Sequence, residues 1–287
     1  MRITKTVVVS LVVLAALTVA PAQATERPLD RVFEPFQELL DRHLIERDFA
    51  GNGLVSAFDY QQALKRESTS GLLERQREAL ANFDTDTLDS RERANAFWIN
   101  AYNFFMVAHL LQERPDGELV ASVWDYGGRY NPLRDNVFQR ELFTVDGEDY
   151  SLDGIEKGTL FGDAFRDRGW MEARVHFAVN CAAAGCPPLR ATVYTADNLD
   201  ALLTENTRRA FNTPVQLEVD GDTLRISKLF DWYQQDFADE EGSVRDFIRA
   251  YAEDEVAEAV AATTRITYID YDWSLNTPAN VPGIAGE

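Results

Sequence analysis

One segment, residues 91–113, restricts the possible folds of this chain more than any other. Most of its side chains from position 94 to position 111 are apolar or aromatic, and Asp89 or Ser90 precedes it as a helix cap. A helix that is apolar on nearly every side is stable only when other elements cover it. Its asparagines argue against a span that faces lipid. The segment therefore predicts a buried central helix with the rest of the domain packed around it.

Asn100 and Asn103 lie about one turn apart in this segment and share a face of the helix. Buried amides must form hydrogen bonds. One interpretation is that these amides tie down neighbouring loops. The other is that one of them orients a catalytic imidazole or donates a hydrogen bond to an oxyanion. The sequence favours the first interpretation and leaves the second open.

The remaining segments mix helix and strand without the regular strand–helix–strand order of a parallel sheet. This mixture favours an α+β fold. We expect a single domain over residues 25–287, with the central helix packed on a small, mostly antiparallel sheet and a loose tail at 277–287. The patterns predict helices at 30–46 and 60–81, strands at 54–60, 137–142 and 266–271, and hairpins that turn at 146–147 and 220–222.

The first residues have the composition of a secretory signal. Arg2 and Lys5 form a basic start, an apolar run follows over 7–20, and a small-x-small motif occupies 22–24. We therefore expect a signal peptide at residues 1–24. The expectation that follows is a periplasmic or secreted location, with no membrane span after cleavage.

Composition limits the classes of partner. The formal net charge of -20 leaves no basic surface of the kind that binds nucleic acids. Three histidines and two cysteines, without the spacing of a zinc site, predict no metal site. The chain also lacks a dinucleotide-binding glycine motif and a phosphate-binding loop, so no cofactor is expected. The expected partner is a small-molecule or peptide substrate.

The stretch 174–190 contains both cysteines and one of the histidines. Alternating apolar residues over 174–180 predict a strand that carries His176, and Cys181 and Cys186 follow on the loop that leaves it. This arrangement suits nucleophilic chemistry, because loops on a rigid scaffold often carry functional groups. It also suits a short disulfide, because two cysteines in an oxidising compartment can pair.

Glu156 follows Asp153 by three residues in the segment 152–160. This pair resembles a capping box at the start of a helix. The alternative is that the Glu156 carboxylate points at His176. There it would fix the tautomer of the imidazole and stabilise its charged form.

Several segments of the chain resemble the DUF547 family, a family of unknown function. They are residues 96–103, 151–158, 176–190, 227–233 and 271–276. The resemblance implies an arrangement similar to a cysteine hydrolase, with Cys181 or Cys186 as nucleophile beside His176 and Glu156. The chain has Lys157 and Phe161 where the family typically has a His and an Arg. A metal or proton role is therefore not expected at these two positions.

The first functional hypothesis is a thiol-dependent hydrolase that acts on a peptide, amide or ester. The thiolate attacks the carbonyl carbon, His176 stabilises the thiolate and protonates the leaving group, and Glu156 orients the imidazole. Cys181 is the favoured nucleophile because it follows the predicted strand most closely. The residues expected to bind the substrate or the oxyanion are Asn100, Asn103, Asn180 and Arg190.

The second hypothesis is a binding or interaction module of the periplasm that catalyses no reaction. In this hypothesis a Cys181–Cys186 disulfide clamps the loop, and the buried asparagines only staple the core. The sequence gives the two hypotheses about equal weight.

Overall fold

A computed structural model describes residues 29–128 and 135–285 of the chain. The expected signal peptide, residues 1–24, lies outside the described residues. The helices are α1 (Leu29–Val32), α2 (Glu34–His43), α3 (Tyr60–Lys65), α4 (Glu67–Ala81), α5 (Arg91–Gln112), α6 (Asp163–Asp167), α7 (Leu199–Ala210), α8 (Leu229–Trp232), α9 (Gln234–Glu241), α10 (Val244–Tyr251) and α11 (Asp254–Ala262). The strands are β1 (Leu44–Phe49), β2 (Gly53–Phe58), β3 (Phe143–Val145), β4 (Glu148–Tyr150), β5 (Leu217–Asp220), β6 (Thr223–Ser227) and β7 (Arg265–Ile269). A π-helix occupies Gly154–Leu160, and one of the short 3₁₀ helices occupies Ala173–Phe177.

Helix α5 is buried at the centre of the domain, which confirms the prediction for this segment. Ser90 caps it, because its Oγ accepts a hydrogen bond from the backbone N–H of Arg93. Every side chain from Ala94 to Leu111 is buried. Burying one large apolar side chain contributes about 1.5–3 kcal/mol, so the sum over this helix is a main source of stability. Among the described residues no helix, α5 included, has the length and hydropathy that crossing a bilayer requires.

Aromatic rings from neighbouring elements cover α5. The ring of Phe97 stacks on Phe83, which follows α4, with 4.4 Å between centroids. Farther along the helix, the ring of Phe105 stacks on Phe143 of β3, with 4.7 Å between centroids. These contacts hold the end of α4 on one side and the hairpin β3–β4 on another side against α5.

The strands form three small sheets. Hairpins β1–β2 and β3–β4 are antiparallel, and in the third sheet β6 pairs antiparallel with β5 and parallel with β7. The hairpin predicted at Asp146 and Gly147 is confirmed. Both residues have a positive φ, as a tight hairpin turn requires. The α+β class is therefore confirmed, with the strands divided among three sheets.

Three predicted elements differ from the structure. Residues 174–180 do not form a strand, because Ala173–Phe177 is a 3₁₀ helix whose side chains are all buried. Alternation of residue types indicates a strand only where one face is exposed, and here no face is exposed. Residues 137–142 form turns and loop without a pairing strand. The helix predicted over 30–46 ends at His43, and Leu44 then begins strand β1.

The segment after Asn276 packs against the domain up to residue 285, although a loose tail was expected at 277–287. Val281 and Ile284 are buried beside Val55 and Ala57 of β2. This small apolar cluster joins the end of the chain to the hairpin β1–β2. A tail of mixed composition gave no periodic signal from which this contact could be predicted.

Candidate functional site

A cavity of about 460 Å³ opens beside residues 180–187, which we call the cysteine loop. Four of the predicted site residues line it: His176, Glu156, Cys181 and Cys186. The rest of the lining is mainly aromatic, with Tyr102, Trp124, Phe138, Trp232, Tyr233, Tyr271 and Trp273. The polar residues that complete it include Asn136, Asp153 and Lys157. The cavity is where the structure brings the predicted cysteine, histidine and glutamate together.

The cysteine loop is held in place by two buried amides. The Asn103 side chain donates to the Ala178 carbonyl at 2.9 Å and accepts from the Asn180 backbone N–H at 2.8 Å. The Asn180 side chain donates to the Pro187 carbonyl at 2.8 Å and accepts from the Ala182 backbone N–H at 2.9 Å. These bonds set the turn that leads into Cys181. They match the interpretation of Asn103 as a tether for a neighbouring loop.

Asn100 and Arg190 bind other parts of the chain and do not line the cavity. The Asn100 side chain donates to the Tyr194 carbonyl at 2.7 Å and accepts from its N–H at 2.9 Å. The Arg190 Nε donates to the Glu46 carboxylate at 3.0 Å. Asn103 and Asn180 are likewise absent from the lining. The structure therefore does not place these four residues where they would bind a substrate in this cavity.

Cys181 and Cys186 are joined by a disulfide, and their Cα atoms are 6.4 Å apart. The Tyr271 hydroxyl group lies close to both sulfurs, with its oxygen 3.4 Å from Cys181 Sγ and 3.1 Å from Cys186 Sγ. Burial raises the pKa of Tyr271, and the charge of Glu156 raises it further, so the phenol stays protonated at neutral pH. In this form the cavity presents a disulfide and a neutral hydroxyl group instead of a thiolate.

The imidazole of His176 pairs with Asp236. Glu156 was the predicted partner, but its carboxylate binds the Tyr233 hydroxyl instead. The His176 Nε2 donates to the Asp236 carboxylate at 2.9 Å. The ring is stacked between Phe161 and Tyr233, with centroid distances of 3.9 and 4.1 Å. Nδ1 is buried and has no hydrogen-bond partner among the described residues. His176 is therefore a rigidly oriented imidazole with one uncommitted nitrogen.

Asp236 is held in its ionised form by hydrogen bonds from His176 and Arg166. Burial alone would raise its pKa, but hydrogen bonds from His176 and Arg166 hold the pKa below its ordinary value. Asp236 was not predicted as a partner of His176. Residues 227–237 contain two acidic side chains, Asp231 and Asp236, and no local pattern distinguishes them.

Glu156 lies in the π-helix and does not belong to a capping box. Asp153 has helical backbone angles and caps nothing with its side chain; its carboxylate binds Lys157 at 2.8 Å. Glu156 is only 7% exposed, and its Oε1 accepts a hydrogen bond from the Tyr233 hydroxyl at 2.6 Å. Burial and then the Glu156 charge raise the pKa of Tyr233. Glu156 is thus a buried carboxylate on the cavity wall.

Phe161, one of the two departures from the pattern of the resembled family, forms part of the imidazole's surroundings. Its ring lies almost parallel to that of His176, at an interplanar angle of 7°. An apolar ring here supplies neither a proton nor a charge. Its effect is to fix the plane of the imidazole.

Four rings form one side of the cavity, which we call the aromatic wall: Trp124, Trp232, Tyr271 and Trp273. Adjacent ring centroids are 4.9 Å apart for Trp124 and Trp273, 4.7 Å for Tyr271 and Trp273, and 5.0 Å for Trp232 and Tyr271. Trp232 is 43% exposed, which is high for so large an apolar side chain. The sequence could not show that four rings from three distant segments converge.

Comparison with known proteins gives one match. Residues 85–210 match the family model described as "Protein of unknown function, DUF547". No curated protein and no solved structure matches the chain. The matched stretch includes α5, the π-helix and the cysteine loop, and it ends before Trp232, Asp236 and Tyr271.

Proposed function

We propose that this chain, which belongs to the DUF547 family through residues 85–210, binds a small organic ligand in the aromatic cavity. The observation that supports the proposal is the aromatic wall. Ligand sites are typically concave, mostly apolar and about 300–1,000 Å³ in volume, with few polar groups. The cavity of about 460 Å³ has these properties. A ligand that stacks on Trp232 would also cover apolar surface that now faces water.

The disulfide favours binding over catalysis. A thiol hydrolase needs a thiolate, and the bond between Cys181 and Cys186 removes both candidates. The same bond gives the cavity one fixed wall. Closing so short a loop stabilises the folded state by about 2 kcal/mol in the chain-entropy account. A preformed wall lowers the entropic cost of binding, because fewer groups of the protein must be ordered when the ligand enters.

A screen of a diverse fragment library by ligand-observed NMR tests this proposal. The informative variant is Trp232→Ala, and the matched control is Tyr268→Ala. Both side chains are large, aromatic and exposed, at 43% and 38%, but Tyr268 lies outside the cavity. We expect fragments that bind the wild type and the control but not Trp232→Ala. The proposal is overturned if no fragment depends on Trp232.

A thiol-dependent hydrolase of peptides, amides or esters is the second candidate, for the protein with reduced cysteines. The observation in its favour is that His176, whose imidazole is paired with Asp236, lines the same cavity as both sulfurs. Asp236 would then take the orienting role that we expected of Glu156, and Nδ1 of His176 would accept the thiol proton.

Alkylation of the reduced protein against pH, resolved by site with mass spectrometry, tests this candidate. An activated thiol reacts at a pH well below the ordinary thiol pKa of about 8.5, and His176→Ala should abolish the advantage. If Cys181 and Cys186 both titrate near about 8.5 in the reduced protein, the hydrolase is excluded.

We also propose that the protein acts in the periplasm or outside the cell. Two features support this location: the signal-like composition of residues 1–24, and a disulfide, which persists in oxidising compartments. Expression of the full-length chain followed by fractionation tests it. We expect a soluble extracytoplasmic form that begins at Thr25, and an uncleaved cytoplasmic form would contradict the proposal.

A further inference from the structure

We infer that the ligand of the aromatic cavity is an organic cation, with a substituted ammonium group as its charged part. This inference rests on the proposed ligand-binding function and names the chemical class. Two observations support it. One is a buried carboxylate that has no cationic partner in the described part of the chain, and the other is the aromatic wall of the same cavity.

The carboxylate is that of Glu156. It is 7% exposed, its Oε1 accepts a hydrogen bond from the Tyr233 hydroxyl, and the Tyr102 hydroxyl is a second, uncharged donor to it. Among the described residues it forms no ion pair with Lys, Arg or His, although many other carboxylates of the chain do. A hydroxyl group satisfies a lone pair of the carboxylate but leaves its charge in place. A buried charge is costly unless an opposite charge compensates it, so a cation in the cavity would be attracted to this position.

The other charged groups at the cavity compensate each other. Asp153 and Lys157 form an ion pair at 2.8 Å. His176 faces Asp236, which also binds Arg166. Of the two carboxylates that line the cavity, Asp153 and Glu156, Glu156 is therefore the one without an opposite charge among residues 29–128 and 135–285.

The aromatic wall suits a cation better than a neutral polar ligand. Ring faces are electronegative, and a cation within about 6 Å of a ring centroid is attracted to it. A substituted ammonium group needs no directional hydrogen bonds, whereas a sugar needs many. Two of the polar groups in the lining are already engaged, because Asn136 Oδ1 accepts from the Phe138 backbone N–H and Asp153 is paired with Lys157.

Isothermal titration with choline, with benzyltrimethylammonium and with the neutral analogue of choline that has carbon in place of nitrogen tests the inference. The analogue keeps the shape and removes the charge. We expect both cations to bind the wild-type protein at physiological salt. The neutral analogue should bind at least about tenfold more weakly than choline, which corresponds to about 1.4 kcal/mol.

Glu156→Gln is the decisive variant, because glutamine can still accept the Tyr233 hydrogen bond but carries no charge. It should weaken choline about tenfold and leave the neutral analogue nearly unchanged. Glu258→Gln removes the same charge from an exposed position on α11 outside the cavity, and its effect should stay below about twofold. Trp232→Ala should weaken choline severalfold.

Different results would overturn the cation inference and the proposed ligand binding. If neutral fragments bind in a Trp232-dependent manner but the cations do not, or if Glu156→Gln binds choline as well as wild type does, the inference is overturned and the proposed function stands. If no compound of any charge shows Trp232-dependent binding, both are overturned.

Discussion

Replacing Asn103 with alanine should destabilise the domain strongly, because this amide holds the entrance to the cysteine loop. Asn103 is 2% exposed and forms two hydrogen bonds, at 2.9 Å to the Ala178 carbonyl and 2.8 Å from the Asn180 N–H. Truncation leaves both backbone groups buried without a partner. Each unsatisfied group costs about 1–3 kcal/mol, so we expect a loss of about 3 kcal/mol in total.

Thermal unfolding followed by circular dichroism measures this loss. For a domain of this size, 1 kcal/mol shifts Tm by about 2–4 °C, so Tm should fall by about 6–12 °C. Asn82→Ala is the matched control. Its side chain donates to the Glu78 carbonyl at the exposed end of α4, and its removal should cost less than about 0.5 kcal/mol. If Asn103→Ala shifts Tm no more than the control does, Asn103 is not a tether.

Two further predictions concern the disulfide and a buried histidine. Replacing Cys181 and Cys186 together by serine should lower Tm by about 4–8 °C, because the lost loop constraint contributes about 2 kcal/mol; an unchanged Tm in the serine variant without reductant would contradict this. Burial lowers the pKa of His109 from 6.5 to about 4. The unfolded chain then binds a proton that the folded protein does not, so the contribution of this residue to stability is complete above pH 6.5 and is lost as pH falls toward about 4. His109→Gln should flatten urea-unfolding midpoints across that range, and an unchanged slope would refute the assignment.

The central helix and the hairpin at Asp146 and Gly147 could be predicted from short stretches of sequence. Helix α5 is apolar on every side and is buried on every side, so its pattern and its position agree. The hairpin at Asp146 and Gly147 follows from turn chemistry alone, since both residues adopt positive φ readily. In these cases the nearest neighbours in sequence determine the backbone.

Neither the backbone conformation around His176 nor the partner of its imidazole could be predicted from the neighbouring residues. Its alternating residues indicated a strand, but it is a buried 3₁₀ helix held by contacts distant in sequence. The partner of His176 is Asp236, sixty residues away, and no local pattern connects the two. Glu156 lines the same cavity as His176, but its Oε1 accepts a hydrogen bond from Tyr233. A pairing between side chains on separate elements depends on tertiary packing, which one sequence does not encode in any short window.

The crystal structure of the protein soaked with bromine-labelled aromatic compounds would test the central proposal, ligand binding in the aromatic cavity, most directly. The set should contain a cation, para-bromobenzyltrimethylammonium, a neutral compound, para-bromobenzyl alcohol, and an anion, para-bromobenzoate. Anomalous scattering locates the bromine without prior assumptions. We predict a bromine peak between Trp232 and Glu156 for the cation. Bromine peaks that lie outside the cavity for all three compounds, or no peaks at all, would contradict the proposed function.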